Sequence, residues 1–283
     1  MNEELTIRRM QTDCLLFAQE VRALSGWNQT QKDWIRTLSY GPDGCFVAEW
    51  KGKPAGTAAT VNYRDTTAWI GMVLVHPNFR RRGIATALLN HCIAHLRSTV
   101  RCIKLDATPE GKMVYNRLGF VAEYNLARWE RTKLATETPG PSQTIEENDW
   151  PSLVKLDTPV FGTDRELWLR LLTRDSSRAL LNRKEDGGVN AYGLARGGER
   201  AEYLGPVVAD RPTDGEKLIR KLLDGAQQDT IYWDIPDDNK EAVALAEEMG
   251  FVRQRPFIRM WLGEANMKSE PGKQWAIGDP STG

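Results

Sequence analysis

The stretch Val73-Leu74-Val75-His76-Pro77-Asn78-Phe79-Arg80-Arg81-Arg82-Gly83-Ile84-Ala85-Thr86 decides how the first half of this chain is read. The apolar run that ends in it, Trp69 to Val75, suits a strand covered on both faces. A basic turn follows and opens a helix at a glycine with a small residue two places on. The N–H groups at a helix N-terminus lack intrahelical partners, and the helix dipole adds partial positive charge, so such a turn captures anions. Gly83 removes the Cβ that would hold a diphosphate away from those amides. Ala85 keeps the next approach shallow, and Thr86 brings a hydroxyl into the first turn. Arg80, Arg81 and Arg82 can neutralise phosphate. Three arginines alone read more plainly as a solvated loop before an amphipathic helix. The buried strand before them and the Gly-x-Ala after them weigh against that reading. Neither GxxxxGK[ST] nor GxGxxG is present here.

Working outward, Gly44–Trp50 and Thr57–Tyr63 flank the turn signal Lys51-Gly52-Lys53-Pro54 as a hairpin. A helix over 83–98 gathers Ile84, Leu88, Cys92 and Leu96 on one stripe. Ile103 and Leu105 alternate with Lys104 and Asp106 in a short strand. Tyr115 and Leu118 lie on a helix that ends at Gly119, a suitable residue just past a helix end. The expected order is strand, two helices, three strands, helix, strand, helix, two strands: a mixed α/β sheet around a strand-loop-helix unit.

The second half repeats the first. Trp69-Ile70-Gly71-Met72-Val73 returns 134 positions later as Tyr203-Leu204-Gly205-Pro206-Val207, and Leu118-Gly119-Phe120-Val121 returns 131 later as Met249-Gly250-Phe251-Val252. Arg128-Trp129 has its counterpart in Arg259-Met260-Trp261. A nearly constant offset across separate motifs indicates duplication. Two domains are expected, 1–135 and 144–263, each a twisted mixed sheet flanked by helices. The Pro- and Gly-rich segment 136–143 reads as a linker. Residues 264–283 lack periodicity and read as a tail that extends or frays.

At 283 residues with balanced charge, 38 basic against 38 acidic side chains, the chain sets up no global field for nucleic acid or an anionic membrane. The N-terminus has no signal-like apolar stretch and no segment has membrane-spanning length, so a cytoplasmic protein is expected. Cys14, Cys45, Cys92 and Cys102 form no CxxC pair and read as reduced thiols, with no metal site expected.

Arg80-x-x-Gly83-x-Ala85 resembles the R/Q-x-x-G-x-G/A acetyl-CoA motif of the GNAT acetyltransferase superfamily, and Ala107–Gly111 with Tyr115 and Leu118-Gly119-Phe120 resembles its second motif. Gly26-Trp27-Asn28-x-Thr30 with Asp33-Trp34, and Asp157 with Phe161-Gly162-x-Asp164-Arg165, are similar to a tandem-GNAT subfamily related to bacterial YitH proteins. The resemblance implies acetyl-CoA as co-substrate, held by Val73, Leu74, Val75, Arg80, Arg81, Arg82, Gly83, Ile84, Ala85 and Thr86. It implies transfer of the acetyl group to a primary amine by direct attack, with a main-chain N–H at Val75 steadying the oxyanion. A preorganised donor of that kind supplies about 3 kcal/mol. Tyr115 falls at the family's general acid, and a phenol with an ordinary pKa of about 10 is protonated at neutral pH.

For the general base, Glu49 and Asp106 are both candidates, and both also read as ordinary strand carboxylates. His76 faces the phosphate loop and reads as structural, and His91 with His95 as boundary packing. Trp27, Asn28, Thr30 and Trp34 lie in the segment that walls the acceptor pocket in similar proteins; Asn28 or Thr30 also suits a helix N-cap. The expected partner is a small-molecule amine, with neither nucleic acid nor membrane, and the chain a monomer or homodimer. A peptide acceptor, or a coenzyme-A sensor without chemistry, are the alternatives.

In the second copy the loop reads Asp210-Arg211-Pro212-Thr213-Asp214-Gly215-Glu216. The basic triplet is gone, and carboxylates stand where phosphate would sit. Ala246 holds the position of Tyr115. This half is expected to bind no coenzyme and to shape the acceptor pocket, with structural roles for Asp157, Asp164, Arg165, Tyr192 and Asn239.

Overall fold

The computed structural model describes residues 4–132, 143–264 and 269–283; the expected linker lies outside them up to residue 142. The first half runs β1 (Leu5–Arg9), α1 (Leu15–Leu24), α2 (Gln31–Tyr40), β2 (Cys45–Trp50), β3 (Lys53–Tyr63), β4 (Thr67–Val75), α3 (Ile84–Leu96), β5 (Cys102–Ala107), α4 (Pro109–Arg117) and β6 (Val121–Thr132). The second runs β7 (Gln143–Thr144), α5 (Trp150–Phe161), α6 (Glu166–Asp175), β8 (Arg178–Arg183), β9 (Val189–Arg196), β10 (Glu202–Ala209), α7 (Pro212–Asp224), β11 (Thr230–Pro236), α8 (Lys240–Glu248), β12 (Val252–Gly263) and β13 (Gln274–Ala276). Local chemistry places the helix starts. Thr30 and Asp33 form a capping box on α2. Thr108 caps α4, with Pro109 at its first position.

The halves do not form two separate sheets. One continuous sheet runs β1-β2-β3-β4-β5-β12-β6-β11-β10-β9-β8-β7, with β13 attached to β10. Among the described residues of the first half one strand follows α4, where two were expected; the neighbour of β5 comes from the other half: β12 pairs with β5, and β6 pairs with β11. The terminal strands are therefore exchanged. Between them Leu126 faces Phe257, Asn125 faces Ile258 and Ala127 faces Pro256. With repeat-equivalent residues facing each other, a local twofold axis passes through the Leu126–Phe257 pair. Met260 of β12 joins the core under α3, and Ala127 and Trp129 of β6 join the core under α7.

Equivalent buried ion pairs pin both exchanges. Arg259 donates from Nε and Nη2 to Asp106 at 2.9 and 2.9 Å, and Arg128 donates from the same atoms to Asp234 at 2.9 and 2.8 Å. Partners held in this bidentate geometry satisfy each other, which burial of either charge requires. A third apolar cluster joins the halves: Val61, Tyr63 and Trp69 pack with Phe161, Trp168 and Tyr192. Beside it, Asp33 receives Arg36 at 3.0 Å and Arg196 at 3.6 Å. These arginines reach on to Asp175 at 2.7 Å and Asp279 at 2.8 Å.

The tail also departs from expectation. Residues 274–279 and 281–283 are buried. Aperiodic sequence here reflects a three-residue strand followed by loop, fixed by polar contacts rather than by a repeating apolar face. Arg196 grips the Gly278 carbonyl and the Asp279 carboxylate, Trp69 Nε1 donates to Pro280 O, and Tyr63 donates to Thr282 O. Asp157, Arg165 and Tyr192 fall in one cluster: Arg165 pairs bidentately with Asp157, which also accepts from Tyr192. Asp164 and Asn239 accept from the first-turn amides of α6 and α8.

Candidate active site

Strand β4 carries one extra residue against β3: Thr57 and Ala59, two apart, face Leu74 and Gly71, three apart. The bulge leaves Met72 at φ +53°. A left-handed backbone at a non-glycine residue is costly and clusters at functional sites. On its other edge β4 pairs with β5 at three positions only, Thr67–Cys102, Ala68–Ile103 and Trp69–Lys104. Beyond Trp69 the two parallel strands separate and leave a cleft in the middle of the sheet.

Two connected spaces open from it. The outer is an open groove of about 560 Å³ lined by Leu24, Ser25, Trp27, Val73, Leu74, Val75, Arg80 and Ala85. At its end Gly83 caps α3 with φ +77°, and a Cβ there would meet no protein atom within 4 Å. No acidic residue stands in the first turn of α3. Arg80 Nε donates to Val75 O at 3.3 Å, Arg82 lies over the rings of Trp50 and Phe79, and Arg81 takes φ +60°. None of the three arginines is in a salt bridge among the described residues. His76 accepts from Asn78 N and approaches Glu20 at 3.4 Å, so it shapes this turn.

The inner space is a cavity of about 270 Å³ that shares Trp27 and Val73 with the groove. Ile70–Val73, Leu105, Asp106 and Tyr115 form the first-half wall. Tyr115 lies edge-on to Phe120, and its hydroxyl makes no hydrogen bond to protein among the described residues. Burial pushes its phenol pKa above the ordinary tyrosine value. The opposite wall comes from residues the sequence reading did not select: Arg128, Arg200, Tyr232, Arg255, Phe257, Pro280 and Ser281. Of these, Arg128 was marked in the sequence by its repetition as Arg259.

Several expected site residues fall elsewhere. Glu49 sits on β2, two strands from β4, tied to Arg8 at 2.7 Å, and lines neither space. Asp106 reaches the cavity, but both its oxygens are engaged by Arg259; burial raises its carboxyl pKa and the guanidinium opposes that rise. Val75 lines the outer groove alone, whereas Val73 lines both spaces. Thr30 is spent on the α2 cap, and Trp34 is fully buried beneath α1 and β3. Trp27 and Asn28 do line the cavity. Asn28 also clamps the loop before β10, donating to Ala201 O at 3.0 Å and accepting from Arg200 N and Ala201 N at 2.9 and 3.0 Å.

The second half has the same frame with different contents. β10 carries the matching extra residue opposite β9 and also pairs with its parallel neighbour, β11, at three positions only. Here the separation is filled by the chain itself. β13 pairs with β10, Ile277 N donates to Asp234 O at 3.0 Å, and Trp233 Nε1 donates to Trp275 O at 2.7 Å. The Trp275 indole lies against Gly215 in the first turn of α7, where a Cβ would come within 2.1 Å of the ring.

Among the described residues no group of His, Cys, Asp or Glu is arranged to hold a metal ion, and no helix is long and apolar enough to cross a membrane. A larger groove, about 630 Å³ between α2 and α6, is lined by Tyr40, Asn62, Arg170 and Arg174 and contains no part of the β4–α3 turn.

A sequence profile of the GNAT acetyltransferase family matches residues 7–120, and one of the GNAT acetyltransferase domain matches residues 153–276. YitH of Bacillus subtilis, named an uncharacterized N-acetyltransferase, is 29% identical over 189 residues, a match that spans 64% of this chain and 65% of YitH. A candidate acetyltransferase from Pyrococcus horikoshii superposes over 100% of this chain and 97% of its own with TM-score 0.85 at 24% identity. A tandem GNAT protein of clavulanic acid biosynthesis covers 92% of this chain and 98% of its own with TM-score 0.63 at 15% identity. At these identities the structural likenesses speak for the fold.

Proposed function

The chain belongs to the GNAT acetyltransferase superfamily as a tandem protein, and we propose that its first half transfers an acetyl group from acetyl-CoA to the primary amine of a small molecule. The observation that carries this reading is the continuity of three features: an arginine turn at an open helix N-terminus, a cleft between separated strands, and a free tyrosine hydroxyl at its inner end.

The residues present suit the co-substrate. Gly83 leaves the space before α3 open, the first-turn amides lack a side-chain cap, and Arg80–Arg82 have no carboxylate partner among the described residues. A diphosphate would meet the amides of residues 83–86 and these arginines. The pantetheine arm would lie along Val73–Val75 in the outer groove. Acetyl-CoA supplies an activated acyl carbon in its thioester.

The protein's own groups then act at the inner end. The acceptor amine, having lost its proton, attacks the acyl carbon; a C–N bond forms and the C–S bond breaks. A main-chain N–H of the bulged segment at Val73 steadies the charge that develops on the acyl oxygen. Tyr115 donates its proton to the departing sulfur, a step favoured because burial keeps the phenol neutral, and the proton shed by the acylated nitrogen returns through solvent to restore the phenol. The second half walls the acceptor side, its own cleft being closed by β13. The size of the cavity, about 270 Å³ and enclosed by both halves, favours a small acceptor over a folded protein.

Calorimetry with acetyl-CoA, followed by thiol release in the presence of an amine panel, tests the proposal. One acetyl-CoA bound per chain and amine-dependent thiol release are expected. Absence of binding would sink it.

A further inference from the structure

The cavity offers a way to narrow the acceptor. Its charged lining residues are Arg128, Arg200, Arg255 and Asp106. Two of these are already neutralised from behind, Arg128 by Asp234 and Asp106 by Arg259. Arg200 and Arg255 are in no salt bridge among the described residues. Arg200 makes one side-chain contact, to the Gly26 carbonyl at 3.1 Å, and Arg255 lies over the Phe257 ring without a hydrogen bond. Nearby carboxylates do not reach them: Glu199 turns to Arg22 at 3.5 Å, and Glu110 feels Arg255 only through space.

We infer, resting on the function proposed above, that the acceptor is an amine that also carries an anionic group, a carboxylate or a phosphate, bound by Arg200 and Arg255 at the second-half wall. Two solvent-exposed guanidinium groups with no salt-bridge partner among the described residues disfavour a polycation at this end of the cavity. They suit a zwitterion whose anion faces them while its amine points toward Tyr115. Among the described residues the lining carboxylate, Asp106, is fully engaged by Arg259, so the ammonium proton is lost to water.

The test follows thiol release from acetyl-CoA with paired amines: amino acids against their carboxamides, phosphoethanolamine against ethanolamine, and spermidine as polycation. Binding of each to the coenzyme-A-loaded protein is measured alongside by calorimetry. At least one anionic member should outperform its neutral partner, and the carboxylate and phosphate arms identify which anion is read. Arg255→Gln and Arg200→Gln should each raise KM for that amine by about 10- to 100-fold, as loss of a charge-assisted hydrogen bond does. KM for the neutral partner should rise less than KM for the anionic amine. Arg200→Lys, which keeps the charge, should recover part of the loss and so separates charge from loop distortion. Equal use of acid and amide, preference for spermidine, or no binding of any panel member to the loaded protein would overturn the inference. Failure of acetyl-CoA itself to bind would overturn the function above and this inference with it.

Discussion

Replacing Trp275 by alanine tests the closure of the second cleft. The residue is 3% exposed, and its indole fills the space above Gly215 at the start of α7. A buried aromatic of this size removes about 150–250 Å² from water, worth about 4–6 kcal/mol at 25 cal/mol per Å² as an upper bound. Measured truncations of buried tryptophan cost about 3–5 kcal/mol. The backbone bond from Trp233 to residue 275 survives the change, so a loss of about 3–4 kcal/mol is expected. Urea denaturation followed by tryptophan fluorescence should give that value by linear extrapolation. The melting temperature should fall by about 5–7 °C for a chain of this size. Val252→Ala, at a side chain 69% exposed, should stay within about 0.5 kcal/mol of the parent. Wild-type stability in Trp275→Ala, with residues 274–283 still protected from protease, would refute the docking argument.

Tyr115→Phe should keep acetyl-CoA binding and lower turnover by about tenfold or more, measured by thiol release at saturating substrates. Since burial raises the Tyr115 pKa, the acid is protonated across the ordinary phenol range; the alkaline loss of turnover should fall above pH about 10, and a limb below that would contradict the assignment. Gly83→Ala should cost about 1 kcal/mol of stability from its positive φ and weaken acetyl-CoA at least about tenfold by calorimetry, because the added methyl meets no protein atom and can only crowd the ligand. Asp106→Ala should destabilise by about 3–5 kcal/mol in thermal unfolding by stranding Arg259, and Asp106→Leu combined with Arg259→Met should recover much of that loss. Cys45 and Cys102, whose thiol pKa values burial pushes to about 12 and about 11, should resist alkylation in the native protein at pH 7, as judged by mass spectrometry.

Much of the first half was legible in the sequence because its signals are local. The apolar run at 69–75, the arginine turn and Gly83 specify a strand, a loop and a helix start within a few residues of one another. The exchange of β6 and β12 was not legible, and the reason lies in the repeat. Both strands come from copies of one segment, so each carries the pattern that either neighbour accepts. Arg128 or Arg259 could face either Asp106 or Asp234 with the same chemistry, and only the path of the chain decides. The tail was misread for a different reason: Arg196, Tyr63 and Trp69 hold it from positions scattered along the chain, and no periodicity records such contacts. For the cavity, Trp27 and Tyr115 were within reach of motif reading, whereas Arg255 enters on the exchanged strand β12 and Arg200 from the loop before β10 that Asn28 clamps. Glu49 is a carboxylate of the right type on the wrong strand, which register alone reveals.

The swapped strands also govern how the molecule is made. Asp106 waits for Arg259, 153 positions downstream. While the ribosome is still working, the final partners of residues 102–107 and of strand 121–132 have not been synthesised. Edges left unpaired invite pairing with other chains. The observed pairing is complete only once residues 230–263 have emerged, and contacts this remote in sequence form slowly.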